Sequence, residues 1–192
     1  MELGGDLKLL VFDLDGTLIH LDVDWDDVRV RLDLGTEKVG AAIQRLLLAG
    51  RHDLLAVVTE CEVAALGDRT VAPDVAAALE RLATRYDLAV CTRNTRLVAE
   101  RALAGLAGRV AVVGREDVRR LKPDPEGVRL LLTRHGVAPA HAALVGDTFH
   151  DVAAAHAAGM RSIVVANERL AFRPDGADLY VEDLPALDTL LT

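Results

Sequence analysis

Cysteine is scarce in this chain, which holds only Cys61 and Cys91. Two thiols do not make the multiply bridged framework of a small secreted domain, and Cys91 sits in the apolar run Leu88-Ala89-Val90-Cys91, where a thiol acts as a small core hydrophobe. Long apolar runs are lacking too. None approaches the roughly 20 residues of a membrane-crossing helix, so no membrane partner is expected. The first residues, Met1-Glu2-Leu3-Gly4-Gly5-Asp6, carry no positive start, which is not the pattern of a secretory signal. These absences point to a reducing, cytoplasmic location. Basic clusters are also missing. With 30 acidic residues against 22 basic ones the formal net charge is −8, so a phosphate backbone would meet a repulsive field and no nucleic-acid partner is expected. The acidic excess fits a soluble surface, and equally a protein that gathers carboxylates around a divalent cation.

What the chain does have is apolar material in short, spaced runs. Its 192 residues, 51% of them hydrophobic, are enough to bury a core without staples, as one compact domain with a small appendage. Leu9-Leu10-Val11-Phe12, Leu88-Ala89-Val90-Cys91, Val110-Ala111-Val112-Val113, Ala142-Ala143-Leu144-Val145 and Ile163-Val164-Val165 lack internal Pro or Gly and read as strands. They show no polar alternation, as strands do when a parallel sheet is covered on both faces. Between them lie helical spacings such as Val75, Leu79 and Leu82, or Val128, Leu131 and Leu132 ending at Gly136. Strand, helix, strand in repetition predicts an α/β fold with a doubly wound, mostly parallel, Rossmann-like sheet.

One interval breaks the rhythm. From 21 to 74 no strand pattern occurs; Val39, Ile43, Leu46 and Leu47 keep helical spacing up to Gly50, and Leu54 to Leu66 also reads as helix. This predicts a small helical insertion at 21–74 in a core made of 1–20 and 75–192. Asp22, Asp24, Asp26 and Asp27 around Trp25 lack the Gly and terminal Glu of a calcium loop, so they are expected to open a helix as N-capping carboxylates.

The chemistry concentrates where strands end, because ligands of open α/β sheets bind beyond the carboxyl ends of the strands. The first run is followed by Asp13-Leu14-Asp15-Gly16-Thr17, the second by Thr92-Arg93-Asn94, the fourth by Gly146-Asp147-Thr148-Phe149-His150-Asp151, and Lys122-Pro123-Asp124-Pro125 lies between the third strand and the next helix. Asp13, Asp15, Asp147 and Asp151 gathered together would repel, and a hard cation relieves that. Magnesium suits the set: it takes a few carboxylate oxygens, keeps waters, and accepts a phosphate oxygen. Lys122 adds a point positive charge for a phosphoryl group, and Thr92 can donate a hydroxyl hydrogen bond to the same oxygens. Asp13, at the very end of its strand, can act as a carboxylate nucleophile; Asp15 can serve as general acid and then base; Gly16 permits the sharp turn that follows, and Gly16 and Thr17 are expected to border the substrate.

In these motifs and their order the chain resembles the haloacid dehalogenase superfamily, in its phosphoglycolate-phosphatase-like branch with a helical cap after the first strand. The resemblance covers nearly the whole chain, including Ala153-Ala154-Ala155-His156-Ala157-Ala158-Gly159-Met160 before Ile163-Val164-Val165. It implies a Mg2+-dependent phosphohydrolase that cleaves a small-molecule phosphomonoester through an aspartyl-phosphate on Asp13. It also implies a metal held by the Asp13 side chain, the Asp15 backbone carbonyl and Asp147, with Asp151 supporting the metal or Lys122. Arg93 departs from the commonest pattern after the second motif, so its contact with substrate, like that of Asn94, His150 and His20, is an expectation of its own. The insertion is shorter than the four-helix cap of such relatives, which points to a small or partly exposed phosphorylated metabolite.

Other activities use parts of the same set. A dehalogenase would leave Asp15 idle, and a phosphonatase would want a cap lysine, for which Lys38 alone is present in the insertion. A sugar phosphomutase would use the same Asp13, Asp15 and magnesium, and a phosphate-ligand-binding protein of low turnover would keep the motifs.

Overall fold

The computed structural model describes residues 6–106, 110–170 and 173–191; residues 1–5, on which the reading of the N-terminus rests, lie outside them. The five apolar runs are strands: β1 (Leu9–Phe12), β2 (Asp87–Cys91), β3 (Ala111–Val113), β4 (Ala142–Gly146) and β5 (Arg161–Val165). A sixth, β6 (Leu179–Val181), has no counterpart among the expected runs, because it is three residues long and exposes Tyr180 at the sheet edge. All pairings are parallel, and the order is β3-β2-β1-β4-β5-β6. In such an order the chain reverses its direction of winding between β1 and β4, and the crevice outside their carboxyl ends is where a ligand binds.

Eight α-helices complete the described residues: α1 (Trp25–Arg31), α2 (Val39–Leu48), α3 (His52–Leu66), α4 (Pro73–Leu82), α5 (Arg96–Ala102), α6 (Glu126–His135), α7 (Phe149–Ala158) and α8 (Leu184–Leu190). α6 and α7 pack on each other and across β1 to β5, while α4 and α8 form a second pair. Right-handed crossovers assign the two pairs to opposite faces of the sheet. Leu9, Val11, Phe12, Ala89, Val90, Leu144 and Val145 are fully sequestered between them, which is why these strands carry no polar alternation. α6 stops where expected, at Gly136 in the left-handed conformation (φ 63°), which a residue with a Cβ adopts only with strain.

Between β1 and α4 the chain runs through α1, α2 and α3, which pack on one another, and α3 also packs on α5. The acidic run behaves as the helix start expected of it: the Asp24 carboxylate accepts from the N–H groups of Asp26 (3.1 Å) and Asp27 (2.9 Å) and caps α1. The helices bury Val28, Ile43, Leu46, Leu55, Val58 and Leu66 and so join the main core.

Candidate active site

Strand pairing places the first carboxylate. The Asp13 N–H donates to the Val145 carbonyl at 2.8 Å, so Asp13 extends the β1–β4 ladder, and Asp147 follows Val145 by two residues on the neighbouring strand end. Thr92 is fixed in the same way on the other side, its N–H donating to the Val113 carbonyl at 3.0 Å. Gly16 adopts φ +88°, and a Cβ there would lie 2.2 Å from Asp147 Oδ2. Only glycine lets the first turn come this close to the Asp147 side chain.

Residues distant in sequence thereby converge. Lys122 Nζ lies 2.9 Å from Asp13 Oδ1 and 2.6 Å from Asp151 Oδ1, and oxygens of Asp13, Asp147 and Asp151 all fall within 4.8 Å of one another. Both oxygens of Asp151 are engaged, Oδ1 by Lys122 and Oδ2 by the Thr148 hydroxyl (2.6 Å) and N–H (3.0 Å). Thr148 is the N-cap of α7; Asp151 stands three residues in and closes the reciprocal capping box. Asp147 is the open member. Asn167 donates to its Oδ2 at 2.6 Å, while Oδ1 is buried and has no hydrogen-bond partner.

The charges explain the proton affinities. Burial pushes Asp13 from 3.8 up to about 7, against the pull of Lys122. Burial also raises Asp147 and Asp15. For Asp151 the burial penalty is outweighed by Lys122 and Thr148, so its carboxyl stays below the ordinary range. Lys122 loses by burial too, but the carboxylates of Asp13 and Asp151 more than offset this and hold its ammonium above the usual lysine range. Once all are ionised, three carboxylates against one ammonium leave two negative charges, which one divalent cation balances. A buried, unpartnered carboxylate oxygen on Asp147 beside two other carboxylates fits that cation.

The other expected residues divide. Asp15, Arg93 and Asn94 line a cavity of about 340 Å3 with Asp13, Thr148 and His150, roofed by Trp25, Val39, Gly40 and Ile43 of the inserted helices. The Asp15 carboxylate stands apart from the lysine cluster and accepts the Leu21 N–H at 2.7 Å. Arg93 reaches the roof, its Nη2 donating to the Gly40 carbonyl at 3.3 Å and its Nη1 lying 3.4 Å from His150 Nε2. The Thr92 hydroxyl is turned to Asn94, whose Oδ1 accepts it at 2.9 Å. Thr17 is not on this cavity. It borders a separate cleft with Ile19, His20 and Arg69, and its buried hydroxyl oxygen has no hydrogen-bond partner among the described residues; His20 borders the same cleft, near enough to Asp15 to act on it electrostatically.

Four residues that matter here were not singled out in the sequence. Asn167 braces Asp147. Gln44 of α2 clamps the loop before Lys122, donating to the Arg119 carbonyl at 2.9 Å and accepting the Leu121 N–H at 2.8 Å. Glu62 of α3 and Arg115 form a buried ion pair beside Asn94. Gln44 and Glu62 are single polar residues within largely apolar helical stretches and Arg115 opens a charged run, so nothing local says what they face; Asn167, two residues past Ile163-Val164-Val165, stands at a strand end and was legible by the same rule as the others.

The chain is similar to known proteins over most of its length. Residues 55–165 match the family model of the haloacid dehalogenase-like hydrolases. A phosphoglycolate phosphatase of Rhodospirillum rubrum is 33% identical over an alignment covering 83% of this chain and 79% of that protein. The validoxylamine A 7'-phosphate phosphatase of Streptomyces hygroscopicus subsp. limoneus is 29% identical, covering 92% of this chain and 94% of that protein. The crystal structure of a predicted phosphoglycolate phosphatase from Haemophilus somnus superposes with a TM-score of 0.71 at 20% identity, over 97% of this chain and 99% of that one. With the convergence of Asp13, Lys122, Asp147 and Asp151 beyond the sheet, these likenesses identify the chain as an enzyme of the haloacid dehalogenase-like hydrolase family, in its phosphatase branch.

Proposed function

We propose that the chain is a Mg2+-dependent phosphohydrolase of small phosphomonoesters that works through an aspartyl-phosphate on Asp13. The observation that carries the reading is Lys122 Nζ held between Asp13 and Asp151, with the unpartnered Oδ1 of Asp147 beside them. Asp13, Asp147 and the Asp15 backbone carbonyl would hold Mg2+, with Asp151 bracing Lys122. Bound there, the ion supplies positive charge to the phosphoryl oxygens and to Asp13. Asp13 Oδ attacks phosphorus in line as the ester oxygen leaves, and Lys122 and the Thr92 hydroxyl hold the non-bridging oxygens. Asp15, whose carboxyl burial pushes upward, gives its proton to the leaving alkoxide; it then takes one from the water that releases phosphate from Asp13. Residues 21–72 act as a small cap, two residues shorter than expected because α4 of the core starts at Pro73; its Trp25, Val39 and Ile43 cover the leaving group and exclude water. The cavity volume suits a small alcohol portion, with Arg93 and His150 as its polar contacts.

Purified protein with Mg2+ is expected to release phosphate from p-nitrophenyl phosphate and to stop on addition of EDTA; no release from this ester or from a panel of phosphorylated metabolites would overturn the reading.

A pH dependence follows from Asp13. In the metal-free protein its carboxyl keeps a proton up to about pH 7, so ionising it costs folding stability as pH rises from 3.8 toward that value. The cation must displace that proton. Mg2+ affinity, read from the quenching of Trp25 or from thermal shifts, is therefore expected to rise up to about tenfold per pH unit between roughly pH 5 and 7 and to level off above, with proton uptake by the buffer. A flat affinity across this interval would contradict it.

A further inference from the structure

Glu62 and Arg115 are among the most deeply buried charged residues described, with 1% and 2% of their surface exposed. Arg115 Nη1 donates to Glu62 Oε1 at 3.0 Å and Nη2 to Oε2 at 2.9 Å. The guanidinium also reaches the Arg93 carbonyl (3.1 Å) and the Thr59 hydroxyl (3.1 Å), and the Arg115 N–H donates to the Asn94 carbonyl at 2.8 Å. Sequestering such a pair costs desolvation that its attraction barely repays, and an apolar pair of like volume commonly serves stability as well. Stability alone therefore does not account for it.

The third partner does. Glu62 Oε1 also accepts Asn94 Nδ2 at 2.9 Å, Asn94 Oδ1 accepts the Thr92 hydroxyl at 2.9 Å, and Thr92 Oγ1 accepts the Asn94 N–H at 3.1 Å. The direction of each bond follows from the one before. Arg115 can only donate, so Glu62 is left as acceptor, although burial pushes its carboxyl upward against the pull of Arg115. Asn94 must then turn its NH2 to Glu62 and its carbonyl to Thr92. The carboxamide cannot flip, and Thr92 Oγ1 is held in one place.

We propose that Glu62 is a positioning residue through which inserted helix α3 sets the Thr92 hydroxyl, by way of the Asn94 carboxamide. The proposal rests on the phosphatase reading, in which Thr92 holds a phosphoryl oxygen. A phosphoryl oxygen accepts more strongly than an amide carbonyl, so the hydroxyl proton swings to it while Oγ1 stays in place.

The test is a double-mutant cycle with p-nitrophenyl phosphate and Mg2+, reading kcat and KM separately and the melting temperature of each protein. Glu62→Gln is expected to lower kcat on the order of tenfold, the effect of losing one charge-assisted positioning contact, with KM changing less. Thr92→Val lowers kcat at least as much, and in that background Glu62→Gln adds less than about threefold, because the two act as one unit. Asn94→Ala leaves the Glu62–Arg115 pair in place and is expected to reproduce the kcat loss and its non-additivity; it decides the matter if Glu62→Gln does not fold. Effects that multiply in the double variant, or a lowered melting temperature with kcat unchanged, overturn the positioning role and leave the phosphatase reading standing. A wild type that releases no phosphate overturns both.

Discussion

Asp13→Asn is expected to abolish turnover, lowering kcat by about 10^4-fold or more, the scale seen when the nucleophile of an interdependent catalytic set is removed. Asparagine keeps the shape and can still accept the Leu14 N–H that Asp13 Oδ1 takes at 2.7 Å, so the turn stays folded. What goes is the anionic oxygen and with it any acyl phosphate. The change also relieves the burial penalty that holds Asp13 near 7, so the melting temperature of the metal-free variant is expected to stay within a few degrees of the wild type at neutral pH. Single-turnover quenching in acid should trap label on the wild type and none on the variant. Retention of more than about one hundredth of the activity by a folded variant would show that Asp13 is not the nucleophile.

Lys122→Met carries the second large effect, on stability as well as rate. Lys122 is 5% exposed and is the ammonium that balances Asp13 and Asp151. Removing one member of a buried ion pair costs about 3–5 kcal/mol, because the remaining charges are left uncompensated. For a chain of this size that is roughly 6–20 °C in melting temperature. The sign with pH is definite. Asp151 is held below the ordinary carboxylate range by Lys122, so it now contributes stability above that range and loses it as pH falls. Without Lys122 this contribution disappears, and the metal-free variant is expected to be least stable, relative to wild type, at neutral pH. Mg2+ should restore part of the loss by supplying another cation to the same oxygens, while kcat stays about 10^3-fold down for want of charge on the phosphoryl oxygens. Melting curves in EDTA and in Mg2+ at two pH values check both parts. A melting temperature unmoved in EDTA would remove Lys122 from the centre of the site.

In the proposed site, the loops that carry Lys122, Thr92 and Asn94 are held from the inserted helices. Gln44 of α2 holds the loop before Lys122 by two hydrogen bonds, and Glu62 of α3 holds Asn94 next to Thr92. Arg93 links the same loop to the Gly40 carbonyl, where a Cβ would lie 2.7 Å from its Nη2. The helices that cover the cavity therefore also brace its floor.

Much of this was determined by the sequence itself, for a local reason. An apolar run followed at once by a carboxylate or hydroxyl is legible without a partner, since a strand buried on both faces must be apolar and its first polar residue marks the sheet edge. Asp13, Thr92 and Asp147 stand at such ends, and Asp24 and Gly136 announce a helix start and stop through short-range bonds and backbone strain. The tertiary structure alone decided the rest. Glu62 and Arg115 lie 53 residues apart in sequence, and only the packing of α3 over the β2 and β3 loops buries them together. Likewise only the fold shows that Asp151 turns to Lys122, that Thr17 faces another cleft, and that Asn167 braces Asp147. Periodicity reports which residues share a face; which charge meets which depends on contacts between elements that no window of sequence contains.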